Sequence, residues 1–296
     1  MSVSPAALWK FARPHTIYGT AVSLIGLYLI ASGPFTPAGA GALLLAEASC
    51  LCANVYIVGL NQLTDVEIDR INKPYLPLAS GEMSTTSAIV LIVGLLAVGL
   101  ALAVVGGPFL TATVGVSALI GTAYSLPPLR LKRFPLFASL CIFTVRGLVV
   151  NLGIYWYFRH LANQPVGLDP GVTGLALFVT VFTFVIALFK DIPDMEGDRR
   201  FNISTFSLRL GRRYVFDLCC TLLVANYLLS PLITATAGSL GRAPLMAVAH
   251  LLLAAFFWWQ SRRIDLKNDA EVYDFYQFIW KLYYIEYLVY PLFWLS

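Results

Sequence analysis

Residues 53–73, ANVYIVGLNQLTDVEIDRINK, pass in one step from an apolar run into a cluster of Asp and Glu, and residues 182–198, FTFVIALFKDIPDMEGD, do the same. If both runs are helices that cross a bilayer, the acids mark the end of each helix. The composition supports a membrane class: 58% of the 296 residues are hydrophobic and 12% are charged, against about 25% charged in an ordinary soluble domain.

At about 20 apolar residues per crossing, the runs punctuated by Gly, Pro and charge predict nine helices. They fall near 15–33, 38–62, 86–105, 109–126, 134–158, 171–190, 214–237, 243–260 and 275–295. The expectation is an all-α membrane protein forming a single transmembrane domain over 1–296. Charge decides how Gly106-Gly107-Pro108 is read. With a turn there, Lys10, Arg13, Arg70, Lys73, Arg130, Lys132, Arg133, the 199–213 cluster, Arg262, Arg263 and Lys267 share one side, and only Arg159 and Arg242 face the other. By the positive-inside rule the basic side is cytoplasmic, which puts the N-terminus and both acidic ends there. The opening MSVSPAALWKFARPHT carries no cleavage signal, so the first helix is expected to be retained. The five cysteines lie in apolar segments at no metal-binding spacing and read as buried thiols. The net charge of +4 is assigned to the cytoplasmic loops, and nucleic acid is not an expected partner. Oligomeric state is not legible.

Asn61, Asp65 and Asp69 are spaced i, i+4, i+8, one stripe of a helix that continues; Asp191, Asp194 and Asp198 are spaced i, i+3, i+7, one face if the helix runs past Pro193. Like charges a turn apart repel by about 0.2–0.5 kcal/mol per pair even in water, and an ionised Asp near the bilayer costs more unless paired or solvated. Mg²⁺ offsets that cost, because it takes one or two carboxylates together with water and substrate phosphates. Two facing clusters with a diphosphate between them fit that habit. The plainer alternative is a pair of polar helix ends at the water interface. Two such clusters in matching places, after the second and sixth helices, argue against it and hint at a repeat of helical hairpins. The candidate diphosphate ligands are Arg70, Lys73, Lys132, Arg133, Lys190 and Arg199, although the positive-inside rule already demands basic residues there.

NQLTDVEIDRINKPYLPLASGEMS and FKDIPDMEGDR resemble the two signature regions of the UbiA superfamily of intramembrane prenyltransferases. Asn61, Asp65 and Asp69 match the first motif, Asp194 and Asp198 match the second, and Asp191 extends it. Gln62 stands where many relatives carry an acid. That variant, with INKP, PLASG, TVRGLVVNLG and FYQFIWKLYYIEYL, resembles the homogentisate prenyltransferases of the bacterial, phytyl-transferring type. The resemblance implies a nine-helix bundle around a central cavity capped by the two polar loops. It further implies Mg²⁺-dependent transfer of a phytyl group from its diphosphate to homogentisate with loss of CO₂, in the cytoplasmic or thylakoid membrane of a photosynthetic bacterium. Asp65, Asp69, Asp194 and Asp198 would then be catalytic and, with Asn61 and Asp191, would hold the metal.

Acceptor contacts are less determined. Arg146 and Asn151 lie inside an apolar helix, where an ionisable residue is by default functional. Arg146 could bind the acceptor carboxylate or pair with Glu47 or Glu286. Lys190 is either a partner of Asp194 or a phosphate contact, and Tyr124 either covers the reacting carbon or anchors a helix end. His15 is a candidate general base or an interfacial residue; His160 and His250 receive no role. Other donors (geranylgeranyl or solanesyl diphosphate) and other acceptors (chlorophyllide or a 4-hydroxybenzoate-like ring) remain open. So do a transporter and a non-catalytic lipid-binding protein, neither of which explains the motif pair.

Overall fold

The computed structural model describes residues 3–236 and 243–294, and everything described there is helix or connecting turn. In chain order the helices are α1 (Pro5–Phe11), α2 (Pro14–Ser32), α3 (Pro37–Thr64), α4 (Val66–Asn72), α5 (Pro77–Ser80), α6 (Thr85–Gly106), α7 (Pro108–Ser125) and α8 (Pro135–Phe143). There follow α9 (Val150–Leu161), α10 (Pro170–Phe189), α11 (Met195–Arg200), α12 (Phe206–Leu210), α13 (Arg212–Thr236), α14 (Ala243–Ser261) and α15 (Asp269–Trp294). A π-helical segment, Thr144–Val149, joins α8 to α9.

Local chemistry explains the boundaries. Five of the long segments start on a proline, whose missing N–H would have gone unpaired in the first turn anyway. Thr36, Ser84 and Asp169 cap α3, α6 and α10 by accepting from the N–H groups of Gly39, Ser87 and Gly171. Gly107, at φ 102, turns the chain between α6 and α7. A helix stands at each of the nine predicted places. Residues 237, 242 and 295, which include Arg242 and the ends of two predicted helices, lie outside the described residues. The last helix starts at Asp269, earlier than predicted, with Asp269 and Glu271 in its first turn, where the helix dipole favours negative charge. Among the described residues, seven segments are long and apolar enough to cross a membrane: 14–32, 37–64, 85–106, 135–161, 170–189, 212–232 and 244–261.

One expectation fails. Neither acid-bearing helix continues through its cluster. α3 stops at Thr64, and Asp65 leaves helical geometry at φ −122, ψ 17 before α4 begins. α10 stops at Phe189, because Pro193 has no N–H to give to the Phe189 carbonyl, and a turn over 190–194 leads into α11. The two acidic stripes are breaks, not faces.

The long helices close into a ring. α2 packs on α3, α9 and α15; α3 on α6 and α7; α7 on α9; α10 on α8, α13 and α15; and α14 on α13 and α15. The α2–α15 seam is close because of two glycines. A Cβ on Gly19 would stand 2.9 Å from the Trp280 ring, and one on Gly26 would stand 2.5 Å from the Tyr287 carbonyl oxygen, a backbone atom that cannot swing aside. Gly26→Ala is therefore expected to lower the apparent melting temperature in detergent, an overpacking cost of about 1–3 kcal/mol. Gly94→Ala, with open space around it, is expected to be neutral or stabilising, since Ala is the better helix former.

Candidate active site

The ring encloses a cavity of about 410 Å³ bounded by α2, α3, α4, α7, α8 and its π segment, α10 and α15. Both chain breaks empty into one end of it: Asn61, Asp65, Asp69, Asp191, Asp194 and Asp198 all line the wall. α4 and α11 pack directly on each other, clasped by one amide. Asn72 donates to the Asp194 carbonyl at 2.9 Å and accepts from the Gly197 N–H at 2.8 Å. A side chain at 197 would collide with that amide, at 2.5 Å, so Gly197 is required for the approach.

Most of the acids are matched by cations. Asp65 takes Lys132 at 2.7 Å, Arg130 at 3.3 Å and the Asn61 amide at 3.0 Å. Lys132 is buried and also donates to Thr64 Oγ1 at 2.7 Å. Asp194 is salt-bridged to Lys73 from the first motif loop, and Asp191 to Lys190 at 2.7 Å. Tyr124 lines the same wall as Lys190. Asp69 and Asp198 have no ion-pair partner among the described residues, and the Asp69 Oδ2 is buried without a hydrogen bond. Burial pushes their carboxyls up, to about 6 for Asp69 and about 7 for Asp198, the neighbouring aspartates raising them further against the pull of the nearby lysines. Asp191 is raised by burial against the pull of Lys190.

The predicted basic ligands divide. Lys73, Lys132 and Lys190 line the cavity. Arg70 instead reaches Glu67 at 2.6 Å on an exposed face, and Arg133 and Arg199 are exposed and do not border the cavity. Arg13, counted at first only as topology charge, lines the wall with a buried, unpartnered Nε. The clue was available, because the positive-inside assignment already placed Arg13 at the acid-bearing end.

Deeper in the cavity, Arg146 pairs with neither Glu47 nor Glu286. Its guanidinium lies 5.0 Å from the Trp280 ring centroid and 3.4 Å from Asn54 Oδ1, which leaves it without a carboxylate among the described residues. Asn151 does not border the cavity. It is fully buried, donates to the Arg146 and Gly147 carbonyls at 2.7 and 2.9 Å, and accepts from the Tyr287 hydroxyl at 2.7 Å. It thereby fixes the π segment that presents Arg146, and π segments recur at functional sites. His250 gains partners invisible in sequence: it is bonded to Ser230 and lies 2.8 Å from Glu286, away from the cavity.

Two acid-bearing breaks and their matching lysines open on one apolar cavity inside a helical bundle, and the UbiA prenyltransferase family model matches residues 20–282. The chain belongs to the UbiA prenyltransferase family. It is 49% identical to homogentisate phytyltransferase of Synechocystis sp., over 97% of this chain and 94% of that one. It is 41% identical to the chloroplastic homogentisate solanesyltransferase of Arabidopsis thaliana, over 96% and 76%. The fold matches a UbiA homolog from Archaeoglobus fulgidus, solved bound to GPP and Mg²⁺, with TM-score 0.65 at 15% identity over 96% of this chain and 99% of that one.

Truncating the clasp leaves the Gly197 N–H unpaired, at a cost of about 1–3 kcal/mol, and leaves the Asp194 carbonyl with the Asp198 N–H, at 3.1 Å, as its one remaining donor. Asn72→Ala is therefore expected to speed amide hydrogen exchange across residues 194–201 while exchange within α10 stays at the wild-type rate.

Proposed function

We propose that this enzyme transfers a phytyl group from its diphosphate to homogentisate, releasing CO₂ and leaving a methyl-phytyl-benzoquinol of the kind that precedes tocopherol. One observation carries the reading: a single cavity holds the aspartates and lysines suited to a diphosphate and, further in, a carboxylate-free Arg146 against Trp280.

The donor set fits Mg²⁺. Among the described residues no three acidic, His or Cys side chains are grouped to hold a metal ion by themselves; Mg²⁺ takes one or two carboxylates and completes its shell from water and substrate phosphate. The orphaned, buried Asp69 Oδ2 is an acceptor awaiting a cation. Asp65, Asp69, Asp194 and Asp198, with Asn61 and Asp191 beside them, would hold the metal. Bound there, it would neutralise charge growing on the diphosphate as the allylic C–O bond breaks.

The chain supplies the rest. Lys73, Lys132, Lys190 and Arg13 present positive charge to the departing pyrophosphate from fixed positions, so little reorganisation is needed as charge develops. Tyr276, Trp280 and Tyr283 line the wall, and aromatic rings there favour a cationic allylic carbon while excluding water from it. Arg146 grips the acceptor carboxylate, with Tyr124 closing the lysine end. A topology of nine crossings supports the same reading, with the N-terminus and the site on the cytoplasmic side of a photosynthetic membrane. It adds α7 and α15 to the seven apolar spans.

The test is to incubate the purified protein with carboxyl-labelled homogentisate, Mg²⁺ and phytyl, geranylgeranyl or solanesyl diphosphate. Release of labelled CO₂ with prenylated product, fastest with the phytyl donor, is expected; no Mg²⁺-dependent product from any donor overturns the reaction. Asp65→Ala, Asp69→Ala, Asp194→Ala and Asp198→Ala are each expected to abolish turnover in protein that remains folded. Arg146→Leu is expected to raise the KM for homogentisate by about tenfold or more, the loss of a charge-assisted bond of about 1.5–3 kcal/mol, while the KM for the diphosphate moves little.

Acid should compete with the metal. The raised carboxyls bind protons as pH falls through about 7 for Asp198 and about 6 for Asp69, and a protonated carboxyl is a poor ligand. The Mg²⁺ concentration giving half-maximal rate is expected to rise across that interval and to level off above it.

A further inference from the structure

His15 stands in the second position of α2 and lines the same cavity. Its ring centroid is 5.1 Å from that of Trp280 and 6.2 Å from that of Tyr276. Neither ring nitrogen has a hydrogen-bond partner among the described residues. Among the described residues the only histidine paired with a carboxylate is His250, so no acid occupies the His15 ring nitrogens.

Its position is fixed from both sides. The Tyr284 hydroxyl donates to the His15 carbonyl at 2.7 Å. The next residue, Thr16, has its hydroxyl accept from Asn54 Nδ2 at 2.9 Å, and Asn54 Oδ1 faces Arg146 at 3.4 Å. A short polar chain, Thr16–Asn54–Arg146, therefore sets the spacing between His15 and the guanidinium, and both groups lean on the one indole. An acceptor whose carboxylate sits on Arg146 has its ring within reach of the imidazole.

The proposed reaction needs such a group. The ring carbon that receives the prenyl group must lose its proton, the C–H electron pair returning to the ring. The CH₂ carbon that loses CO₂ keeps the C–C electron pair and must gain one proton to become methyl. The two protons balance, and pyrophosphate leaves with the electrons of the C–O bond. A neutral imidazole that takes the first proton and delivers the second returns to its starting state, with no further reactant.

We infer that His15 is a catalytic proton shuttle for the acceptor, carrying the ring proton to the carbon vacated by CO₂. The inference rests on the proposed homogentisate reaction. The test follows wild type, His15→Gln and His15→Asn with fully ring-deuterated homogentisate in ordinary water. In wild type, deuterium is expected in the product methyl group, because one enclosed base handles both transfers. In the variants kcat is expected to fall about 100-fold or more, the usual worth of a positioned acid–base group. Their KM for homogentisate and their Mg²⁺-dependent binding of the diphosphate should stay close to wild type, and the residual product methyl should carry no deuterium.

Complete loss of the methyl label in wild type overturns the shuttle even if neither variant folds. So do variants that keep kcat within about threefold, or that raise KM alone. A wild-type protein that makes no prenylated product overturns the underlying reaction itself, a failure distinct from these.

Discussion

Charge neutralisation at the ends of apolar helices governs this molecule. A carboxylate brought toward the bilayer is costly unless a cation or water meets it, and here a cluster of six polar ligand-type residues, five of them aspartates, borders one cavity. The chain answers with lysines drawn from other segments: Lys73 crosses from the first motif loop to Asp194, and Lys132 comes from the loop after α7 to Asp65. These bridges tie together stretches more than a hundred residues apart in one case and about seventy in the other, so that the site and the closure of the bundle at that end are one construction. Their contribution to stability is not simply additive, because a buried pair recovers its desolvation cost only where hydrogen bonds complete it. Asp65, with three partners, is such a case.

The pairing is uneven, and the unevenness is informative. Asp69 and Asp198, one from the short helix after each break, are the acids of this cluster without a partner cation among the described residues. Burial raises both carboxyls against the pull of the nearby lysines. In the proposed reaction a divalent cation and a diphosphate would add opposite charges to the site together, and lysines paired with aspartates could turn to phosphate as metal took over the carboxylates. The breaks in α3 and α10 suit that exchange. A residue at a helix break is less constrained in direction than one on an unbroken helical face.

Much of this was legible in the sequence. The apolar runs, prolines and capping residues mark the helices to within a few residues over most of the chain, because helix ends are written in local chemistry. The acidic clusters and their common membrane side were legible for the same reason. What failed was the inference that each cluster rides a continuing helix. Pro193 gave a warning in the second motif; nothing comparable marks Asp65, whose departure from helical geometry is set by packing against α4 and by its long-range partners. Long-range pairing also explains the misassigned basic residues. Arg70 and Lys73 are three residues apart, yet α4 turns one outward to Glu67 and the other inward to Asp194.

Asn151 shows the same limit in a more useful form. From sequence, a polar residue inside an apolar helix close to Arg146 reads as a second acceptor ligand. In the bundle its amide is spent entirely on the Arg146 and Gly147 carbonyls and on Tyr287. A π segment adds a residue to the helical turn, which leaves carbonyls in need of donors and rotates the side chains it carries. By satisfying those carbonyls from within the core, Asn151 makes affordable a local geometry that sends Arg146 toward Trp280 instead of toward lipid. The cavity-lining arginine and the buried amide are therefore parts of one device, and only the first borders the cavity.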